Sequence, residues 1–216
     1  MTTVGILGSG GVAETLAAAF ASEGYKVMLG TRDPAKLRDF VAKHEHVTAG
    51  SVEEAAKFGS IIVLAVKGGD GVPLATLNAA GKENLGSKVL LDACNPIGGA
   101  PDRGVLPFVS FPEGSLGEHL QAHFPDIRLV KCWNTVGASR MYKPKFEHDA
   151  RPTMPICGND AAAKAAAAEI LNKFGWDSKD FGTVHSSGPV EALCQLWCLL
   201  GFSFNQWTHA FKLLEK

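Results

Sequence analysis

The residues with the clearest chemical potential lie at positions 4–20, where a short apolar run leads into a glycine turn and then a helical pattern. Gly8 permits a tight turn, Gly10 lets a diphosphate approach the backbone, and Ala13 lets the helix pack near the strand, in the pattern G-x-G-x-x-A. A helix N-terminus binds an anion through its free amide groups and its dipole. We therefore predict a dinucleotide pyrophosphate site, contacted by Gly8, Ser9, Gly10, Gly11 and Val12. A plain strand-to-helix connector is the alternative, which the apolar strand and helix face around the turn disfavour.

The end of the second predicted strand, residues 25–30, distinguishes NAD from NADP. An NAD enzyme usually places a carboxylate there, on the adenosine ribose diol. This chain instead has Thr31 and Arg32, followed by Lys36 one helical turn later. A hydroxyl and two cations suit a ribose 2′-phosphate, so the sequence predicts NADP(H). In the alternative, both cations are solvated and Asp33 binds the ribose, although Asp33 also suits a helix N-cap.

The elements that position these groups alternate between strands and helices, which predicts an α/β fold with a doubly wound parallel sheet of the Rossmann type. Capping boxes at residues 51–54 and 115–118 begin two helices. Continuous apolar strands are predicted at residues 60–66, 88–93 and 127–133. Because ligands bind beyond the carboxyl ends of parallel strands, the residues at these ends should converge around the nicotinamide. They are Ala65, Val66, Lys67, Asn95, Pro96, Asn134 and Thr135.

We predict two units in the 216 residues: an NADP-binding domain at 1–140, and a small α/β and helical C-terminal domain at 141–216 that completes the cleft. The segment 98–114 matches neither helix nor strand, and it is either a lid over a planar substrate or a subunit interface. Residues 189–214 form a helical segment that is apolar almost all round. This pattern predicts burial against the first domain or a homodimer partner.

Composition excludes several classes of partner. The 21 basic and 22 acidic residues give a net charge of -1, which argues against broad attraction to nucleic acid or a membrane surface. We find neither a signal-peptide pattern nor an apolar run of about 20 residues, and we expect a cytoplasmic protein. The odd cysteine count without a C-x-x-C pair favours buried reduced thiols. Cys194 and Cys198 share a helical face, but no further metal ligands are near them in sequence.

Candidate catalytic side chains are few. Lys67 follows a strand that ends at the predicted site, and its ammonium group suits a substrate carbonyl or phosphate; a solvated loop lysine is the alternative. His185 precedes a loop with a route back to the cleft, with a structural role as the alternative. His119 and His123 lie four residues apart on a predicted helix, but no carboxylate accompanies them in the sequence pattern, so we predict a solvated pair and no metal.

Five segments carry a resemblance to a known family. They are G-I-L-G-S-G-G-V-A at 5–13, G-T-R-D-P-A-K-L at 30–37, Asn134-Thr135, P-I-C-G-N-D at 155–160 and G-P-V-E-A-L at 188–193. These segments occur in the same order as in the deazaflavin-coenzyme:NADP oxidoreductases, which the sequence resembles over most of its length. The resemblance implies that NADP lies along the glycine turn, with its 2′-phosphate on Thr31, Arg32 and Lys36. It also implies a deazaflavin ring stacked near the nicotinamide, with a hydride passing between two ring carbons.

Asn134-Thr135 stands where that family has His-Thr. Asn134 also resembles the Asn in the cytosolic reductase domain of the six-transmembrane metalloreductases, whose hydride goes to a flavin; their membrane helices have no counterpart in this sequence. Hydride transfer between stacked rings chiefly needs contact and exclusion of water. We therefore predict an NADP(H)-dependent oxidoreductase acting on a small-molecule redox carrier, deazaflavin or flavin. The alternatives are a reductase of a small carbonyl or imine and a non-catalytic NADPH-sensing protein. The sequence leaves the acceptor, the direction of transfer and the subunit number open.

Overall fold

The computed structural model describes residues 2–215, in which strands and helices alternate along most of the chain. The strands are β1 (Thr3–Leu7), β2 (Lys26–Gly30), β3 (Val47–Gly50), β4 (Ile61–Leu64), β5 (Val89–Asp92), β6 (Arg128–Lys131), β7 (Thr153–Ile156) and β8 (Asp177–Asp180). The α-helices are α1 (Gly11–Ser22), α2 (Arg38–Val41), α3 (Val52–Phe58), α4 (Val72–Ala80), α5 (Lys82–Leu85), α6 (Leu116–His123), α7 (Ala161–Lys173) and α8 (Ser187–Phe204). Short 3-10 turns lie at Pro34–Leu37, Ala138–Arg140, Glu147–Asp149 and Val184–Ser186.

Six parallel strands form the main sheet in the order β3-β2-β1-β4-β5-β6. The chain begins near the centre with β1, moves outward to β3, returns to β4 and then moves outward in the other direction. Helices cover both faces of the sheet, which is why β1 and β4 are nearly continuous apolar runs. The predicted doubly wound parallel sheet is confirmed. Its strand order reverses between β1 and β4, where ligands of such sheets bind.

Each face of the sheet has its own apolar core. On one face, the Phe20 ring of α1 meets the Phe174 ring 4.9 Å away and the Trp133 ring 6.0 Å away, both in edge-to-face contact. On the other face, Leu77 and Leu120 pack among the residues of helices α3 to α6. Aromatic contacts of this geometry add to the free energy gained by burial alone. Helix α1, which begins at the predicted phosphate turn, is therefore fixed against the sheet.

Helix α3 lies very close to the sheet because glycines face it. A Cβ atom at Gly5 would lie 2.1 Å from the carbonyl oxygen of Ala55, and one at Gly30 would lie 3.0 Å from the Cα of Val52. The capping box predicted at residues 51–54 is present in both directions and fixes the start of the helix. Together these contacts hold Val52 beside the end of β2.

A second, two-stranded parallel sheet, β7-β8, continues the structure beyond β6. The backbone N–H of Lys131 donates to the carbonyl of Cys157 at 2.9 Å, in an isolated bridge that joins the two sheets. The indole N–H of Trp176 donates to the carbonyl of Met141 at 3.0 Å. Backbone bonds and buried side chains thus link the two parts of the chain, and a domain boundary at residue 140 stays a prediction.

The helix predicted over residues 189–214 extends further than the observed helix. Helix α8 ends at Phe204 instead of continuing to residue 214, and Asn205 adopts the left-handed conformation there. The Trp207 ring then packs so tightly over Gly201 that a Cβ atom there would lie 2.3 Å from it, which turns the chain back. The carbonyl of Phe211 in the following segment accepts a hydrogen bond from the N–H of Thr153, at the start of β7. No helix in the described residues has both the length and the apolar character of a membrane span.

The predicted strands are also longer than the observed ones. Strands predicted at residues 60–66, 88–93 and 127–133 are paired only at Ile61–Leu64, Val89–Asp92 and Arg128–Lys131. The chain leaves each ladder early to form the loops at the carboxyl edge. The second predicted capping box, at residues 115–118, is only half formed. The backbone N–H of Glu118 donates to the Ser115 hydroxyl, which is one of the two bonds of a capping box. The Glu118 carboxylate does not complete the box, because it accepts hydrogen bonds from the Ser115 hydroxyl and from His185.

Three ionisable side chains without access to water join β5, β6 and α8. The Lys131 ammonium lies 2.6 Å from the Asp92 carboxylate and 2.8 Å from the Glu191 carboxylate, and it donates to the Cys94 carbonyl at 3.1 Å. Burial alone would lower the pKa of Lys131, but the two carboxylates raise it above its usual value. Glu191 also accepts the backbone N–H groups of Leu116 and Gly117, at the start of α6. The cluster therefore connects four elements of the fold.

We expect Lys131→Met to lower the free energy of unfolding by about 3–5 kcal/mol, because it leaves two carboxylates buried without their cation. Urea denaturation followed by tryptophan fluorescence measures this loss. Lys57→Met is the matched control, since the Lys57 ammonium pairs with Glu53 on the surface; its denaturation midpoint should hardly move. A Lys131→Met protein as stable as the parent would show that charge pairing does not hold these elements together.

Candidate functional site

A cleft of about 760 Å³ opens at the carboxyl edge of the main sheet, beside the reversal of strand order between β1 and β4. It runs from the end of β2, past the glycine turn after β1, to the loop after β4. This is the position at which nucleotides bind in open parallel sheets. The cleft is lined by Gly8, Ser9, Gly10, Gly11, Val12, Gly30, Thr31, Arg32, Val52, Ala65, Val66, Lys67, Asp70, Val72, Ala75, Thr76, Ala79 and Ala93.

The glycine turn forms the middle of the cleft. Gly8 has a φ of +144°, and a Cβ atom there would lie 2.1 Å from the carbonyl oxygen of Ala65, so a side chain is excluded on both grounds. A Cβ atom at Gly10 or Gly11 would meet no atom within 4 Å, which leaves the turn open to a ligand. Gly10 is the N-cap of α1, and no side chain caps the helix there. The first amides of α1 are thus accessible to an anion.

The end of β2 forms the polar end of the cleft. Thr31 is buried, and its hydroxyl donates to the Ser9 hydroxyl at 3.1 Å, which ties the second strand to the glycine turn. Arg32 lines the cleft with an exposed side chain. The Asp33 carboxylate accepts the N–H of Ala35 and caps the following 3-10 turn, as the sequence suggests. Lys36 is exposed and does not line the cleft, so its contact with a cofactor stays a prediction.

The wall of the cleft formed by the loop after β4 and by α4 is mostly apolar. Ala65 and Val66 line it together with residues of α4, and the charged groups there are those of Lys67 and Asp70. The Lys67 ammonium lies 2.5 Å from the Asp70 carboxylate, and both side chains are more than half exposed. Lys67 therefore lies at the cleft, as predicted, with its charge paired to a neighbour that the sequence analysis missed.

The three predicted strand ends converge just beyond this wall. The Asn95 amide donates to the Asn134 carbonyl at 2.8 Å, and the Asn134 amide donates to the Asn95 side-chain oxygen at 3.3 Å and to the Val190 carbonyl at 2.9 Å. A Cβ atom at Gly68 would lie 1.8 Å from the Asn95 carbonyl, so the loop after β4 touches the loop after β5. The expected convergence is thus observed, although Asn95, Pro96, Asn134 and Thr135 do not line the cleft itself.

Asn134 has an unusual environment. Its side chain is 2% exposed, and its Oδ1 atom has no hydrogen-bond partner among the described residues. The preceding Trp133 is fully buried with a φ of +57°, a left-handed conformation that is rare for a bulky residue. Its backbone N–H points to the sulfur of Met154 at 3.2 Å. Strained backbone and unsatisfied polar groups concentrate at functional sites, so both features mark this strand end as a candidate site wall.

Several lining residues escaped the sequence analysis. Three of them lie at or after the carboxyl ends of strands: Val52, Asp70 and Ala93. Because ligands bind beyond those ends, the sequence could have predicted these three as lining residues. Thr76 and Ala79 lie on the inner face of α4, whose approach to the cleft depends on packing that no local pattern encodes.

The remaining histidines and cysteines lie elsewhere. His185 is 2.6 Å from the Glu118 carboxylate, with most of its surface exposed, and it does not line the cleft. The prediction that no carboxylate accompanies His119 and His123 is wrong, because Glu113 from the preceding loop lies 2.8 Å from His119. All five cysteines are free, as expected, and Cys198 is only partly buried. Burial raises the pKa values of the Cys94, Cys132 and Cys157 thiols, which makes them poor nucleophiles.

The irregular segment 98–114 folds back on itself beside the site. The Gly98 N–H donates to the Pro107 carbonyl at 2.8 Å, and the Val109 N–H donates to the Pro96 carbonyl at 2.7 Å. Its tip contacts α8, where the Gln195 amide donates to the Leu106 carbonyl at 2.7 Å. None of its residues lines the cleft in this structure. The segment thus joins the Asn95-Pro96 loop to α8, and whether it is a lid or an interface stays open.

Comparisons with known proteins agree with this geometry. Residues 3–96, which contain most of the cleft, match the family model described as NADP oxidoreductase, coenzyme F420-dependent. A crystal structure from Arthrobacter sp. FB24, described as a candidate F420-dependent NADP reductase, is 33% identical, and each chain is covered completely, with a TM-score of 0.90.

Two further matches are more distant. Metalloreductase STEAP3 of Rattus norvegicus is 29% identical over 190 residues, which are 88% of this chain and 36% of the relative. The chain thus spans about a third of the length of the curated relatives it matches. An imine reductase from Bacillus cereus BAG3X2 shares the fold, with a TM-score of 0.68 at 20% identity, over 94% of this chain and 61% of the other. With complete coverage at 33% identity and the family match over residues 3–96, the chain belongs to the coenzyme F420-dependent family of NADP oxidoreductases.

Proposed function

We propose that this protein transfers a hydride between NADP(H) and a second planar redox carrier, a deazaflavin or a flavin. The composition of the cleft is the observation that carries the proposal. An open glycine turn with Thr31 and Arg32 beside it suits a phosphorylated nucleotide, and the apolar wall formed by Ala65, Val66 and α4 suits a planar ring. The other charged lining groups, Lys67 and Asp70, are paired with each other. Transfer between stacked rings needs close contact and exclusion of water, and no side-chain acid.

The lining residues fit NADP(H) along its length. The amides at the start of α1 and the space over Gly10 and Gly11 suit the pyrophosphate. Arg32 provides a multidentate cation for the 2′-phosphate, and the Thr31 hydroxyl lies beside it. Asp33 is engaged as a helix cap, which favours the phosphate over a ribose diol at this end. When bound, the cofactor would supply or accept the hydride at its nicotinamide ring.

The Asn95–Asn134 pair is the proposed wall at the nicotinamide. Each side chain fixes the loop of the other through hydrogen bonds, so both amides have defined orientations. Asn134 Oδ1 is a buried acceptor without a partner among the described residues. Leaving this acceptor unsatisfied costs about 1–3 kcal/mol. Since Asn134 is buried and does not line the cleft in this structure, a nicotinamide carboxamide N–H would satisfy it only after a local movement of the adjoining loops. We therefore assign Asn134 to cofactor orientation.

We also propose that two copies of the chain associate through α8 and the segment that follows it. Leu196 and Phe204 are 52% and 67% exposed, and the large apolar side chains of Phe202 and Trp207 are exposed nearby. Val105, at the tip of the 98–114 segment, adds to this surface, because the tip packs on α8. Apolar patches of this kind are typical of interfaces between subunits.

Arg32→Ala should weaken NADPH binding by about 10- to 100-fold, because it removes charge-assisted bonds to the 2′-phosphate. Its effect on NADH, which lacks that phosphate, should be small. Quenching of tryptophan fluorescence measures both affinities. Arg38→Ala is the matched control, since Arg38 is also exposed but does not line the cleft. Equal affinity of the parent protein for NADH and NADPH would overturn the 2′-phosphate assignment.

The parent protein should oxidise NADPH when a suitable ring is supplied. We expect the absorbance of NADPH to fall with riboflavin, FMN or a deazaflavin, and the fastest of the three identifies the acceptor class. Small carbonyls and imines form the comparison set. If the protein oxidises NADPH only with a carbonyl or imine, and Lys67→Ala abolishes that activity, the second substrate is a small carbonyl or imine and not a ring carrier. Tight binding without any turnover, together with a nucleotide-dependent change of assembly, would indicate a sensor.

Light scattering of the purified chain should give twice the mass of one chain. Leu196→Glu should shift the protein toward monomer, because it places a charge within the proposed apolar interface. Ala165→Glu is the control, since that side chain is exposed on α7, outside the proposed interface. A monodisperse parent monomer would refute association through this surface.

A further inference from the structure

Three metal-ligating side chains meet on the outer side of α6, away from the cleft. His119 and His123 lie one turn apart on this helix, and Glu113 reaches them from the end of the 98–114 segment. One ligand atom from each residue lies within 4.8 Å of the other two. His119 Nδ1 and Glu113 Oε2 are 2.8 Å apart. Within residues 2–215, this is the one group of three His, Cys, Asp or Glu residues with such spacing.

The two imidazoles are held in place before any ion binds. His123 Nδ1 lies 2.9 Å from the carbonyl oxygen of His119, so that nitrogen donates and the Nε2 lone pair of His123 is free. Metal-ligating histidines commonly use the second ring nitrogen in this way. The Phe111 ring packs against His119 with centroids 4.9 Å apart, which restricts the other imidazole.

The charge and exposure of the group also suit a cation. The Glu113 carboxylate brings a negative charge beside the two imidazoles, with its Oε2 atom 2.8 Å from His119 Nδ1. The side chains of His119 and Glu113 are 18% and 28% exposed, and His123 is exposed. An ion can therefore enter from solvent, and water can complete its coordination.

A simple ion pair does not account for the second imidazole. His185 and Glu118 form such a pair, 2.6 Å apart, and no third ligand among the described residues joins them. The group on α6 adds an imidazole at helical spacing i, i+4, which is the arrangement that chelates metals from one helix face. Two imidazoles and a carboxylate favour Zn²⁺ and its neighbours in the first transition row over Mg²⁺ or Ca²⁺.

We propose that Glu113, His119 and His123 bind one divalent transition-metal ion of the Zn²⁺ class. The ion fastens the end of the 98–114 segment to α6. None of the three residues lines the cleft, so the site is an accessory to the proposed hydride transfer and takes no part in it. The proposal stands independently of which redox carrier the protein uses.

Zn²⁺ titration into the chelator-treated full chain, followed by calorimetry, is the first test. We expect one ion per chain and no heat from Mg²⁺ at the same concentrations. Co²⁺ is the second probe, because a nitrogen and oxygen site gives visible absorption without the thiolate charge-transfer band. That band would instead indicate binding at Cys194 and Cys198, whose sulfurs are 4.0 Å apart, and would overturn the assignment.

Two substitutions locate the ion. His123→Asn and Glu113→Gln should each weaken Zn²⁺ binding at least about tenfold. His185→Asn, which removes the two-residue pair beside α6, should leave the affinity unchanged. Zn²⁺ should also raise the melting temperature of the parent and of His185→Asn, but not that of His123→Asn. No Zn²⁺ binding by the parent, or equal affinity in parent, His123→Asn and Glu113→Gln, would refute the site.

Discussion

Lys131 carries a positive charge at a point without access to water, and the elements around the candidate site depend on how that charge is compensated. Its two carboxylate partners come from β5 and α8, and its carbonyl partner begins the loop that contains Asn95. Because an uncompensated buried charge is far more costly than a lost surface pair, these elements must keep their relative positions. The carbonyl of Val190 in α8, one residue before Glu191, accepts a hydrogen bond from the Asn134 side-chain amide. The same helix therefore supports the ionic cluster and the proposed nicotinamide wall.

The cleft divides its tasks between backbone and side chains. The backbone of the glycine turn and the start of α1 meet the part of a nucleotide that all dinucleotides share. In the proposed function, side chains act at two places: Thr31 and Arg32 at the 2′-phosphate, and Asn95 and Asn134 near the nicotinamide. Membership in an NADP oxidoreductase family is consistent with this division. The surface around the apolar wall of the cleft then determines which second substrate can be used.

Local chemistry made much of this structure predictable. The turn after β1, the N-cap at Asp33 and the box before α3 each depend on a few neighbouring residues, and each is observed. The carboxyl ends of β4, β5 and β6 lie close together because these strands are parallel neighbours in one sheet. The partners of Lys131 and the meeting of Glu113 with two histidines were not predictable, because they join elements far apart in sequence or depend on the path of an irregular loop. The end of α8 was missed because residues 205–214 are apolar enough to continue a helix. The left-handed Asn205 ends it, and the Trp207 ring then packs on Gly201.

The glycines beneath α3 have a consequence for how this protein can diverge. Gly5 and Gly30 set the distance between that helix and the sheet, so any side chain there would displace α3 and with it Val52, which lines the cleft. These two positions therefore have almost no mutational freedom. Arg32 and Lys36 are different, because both are exposed and support no part of the core. If they contact the nucleotide as proposed, descendants of this sequence can exchange one nucleotide for another by changes there, while the fold beneath them stays the same.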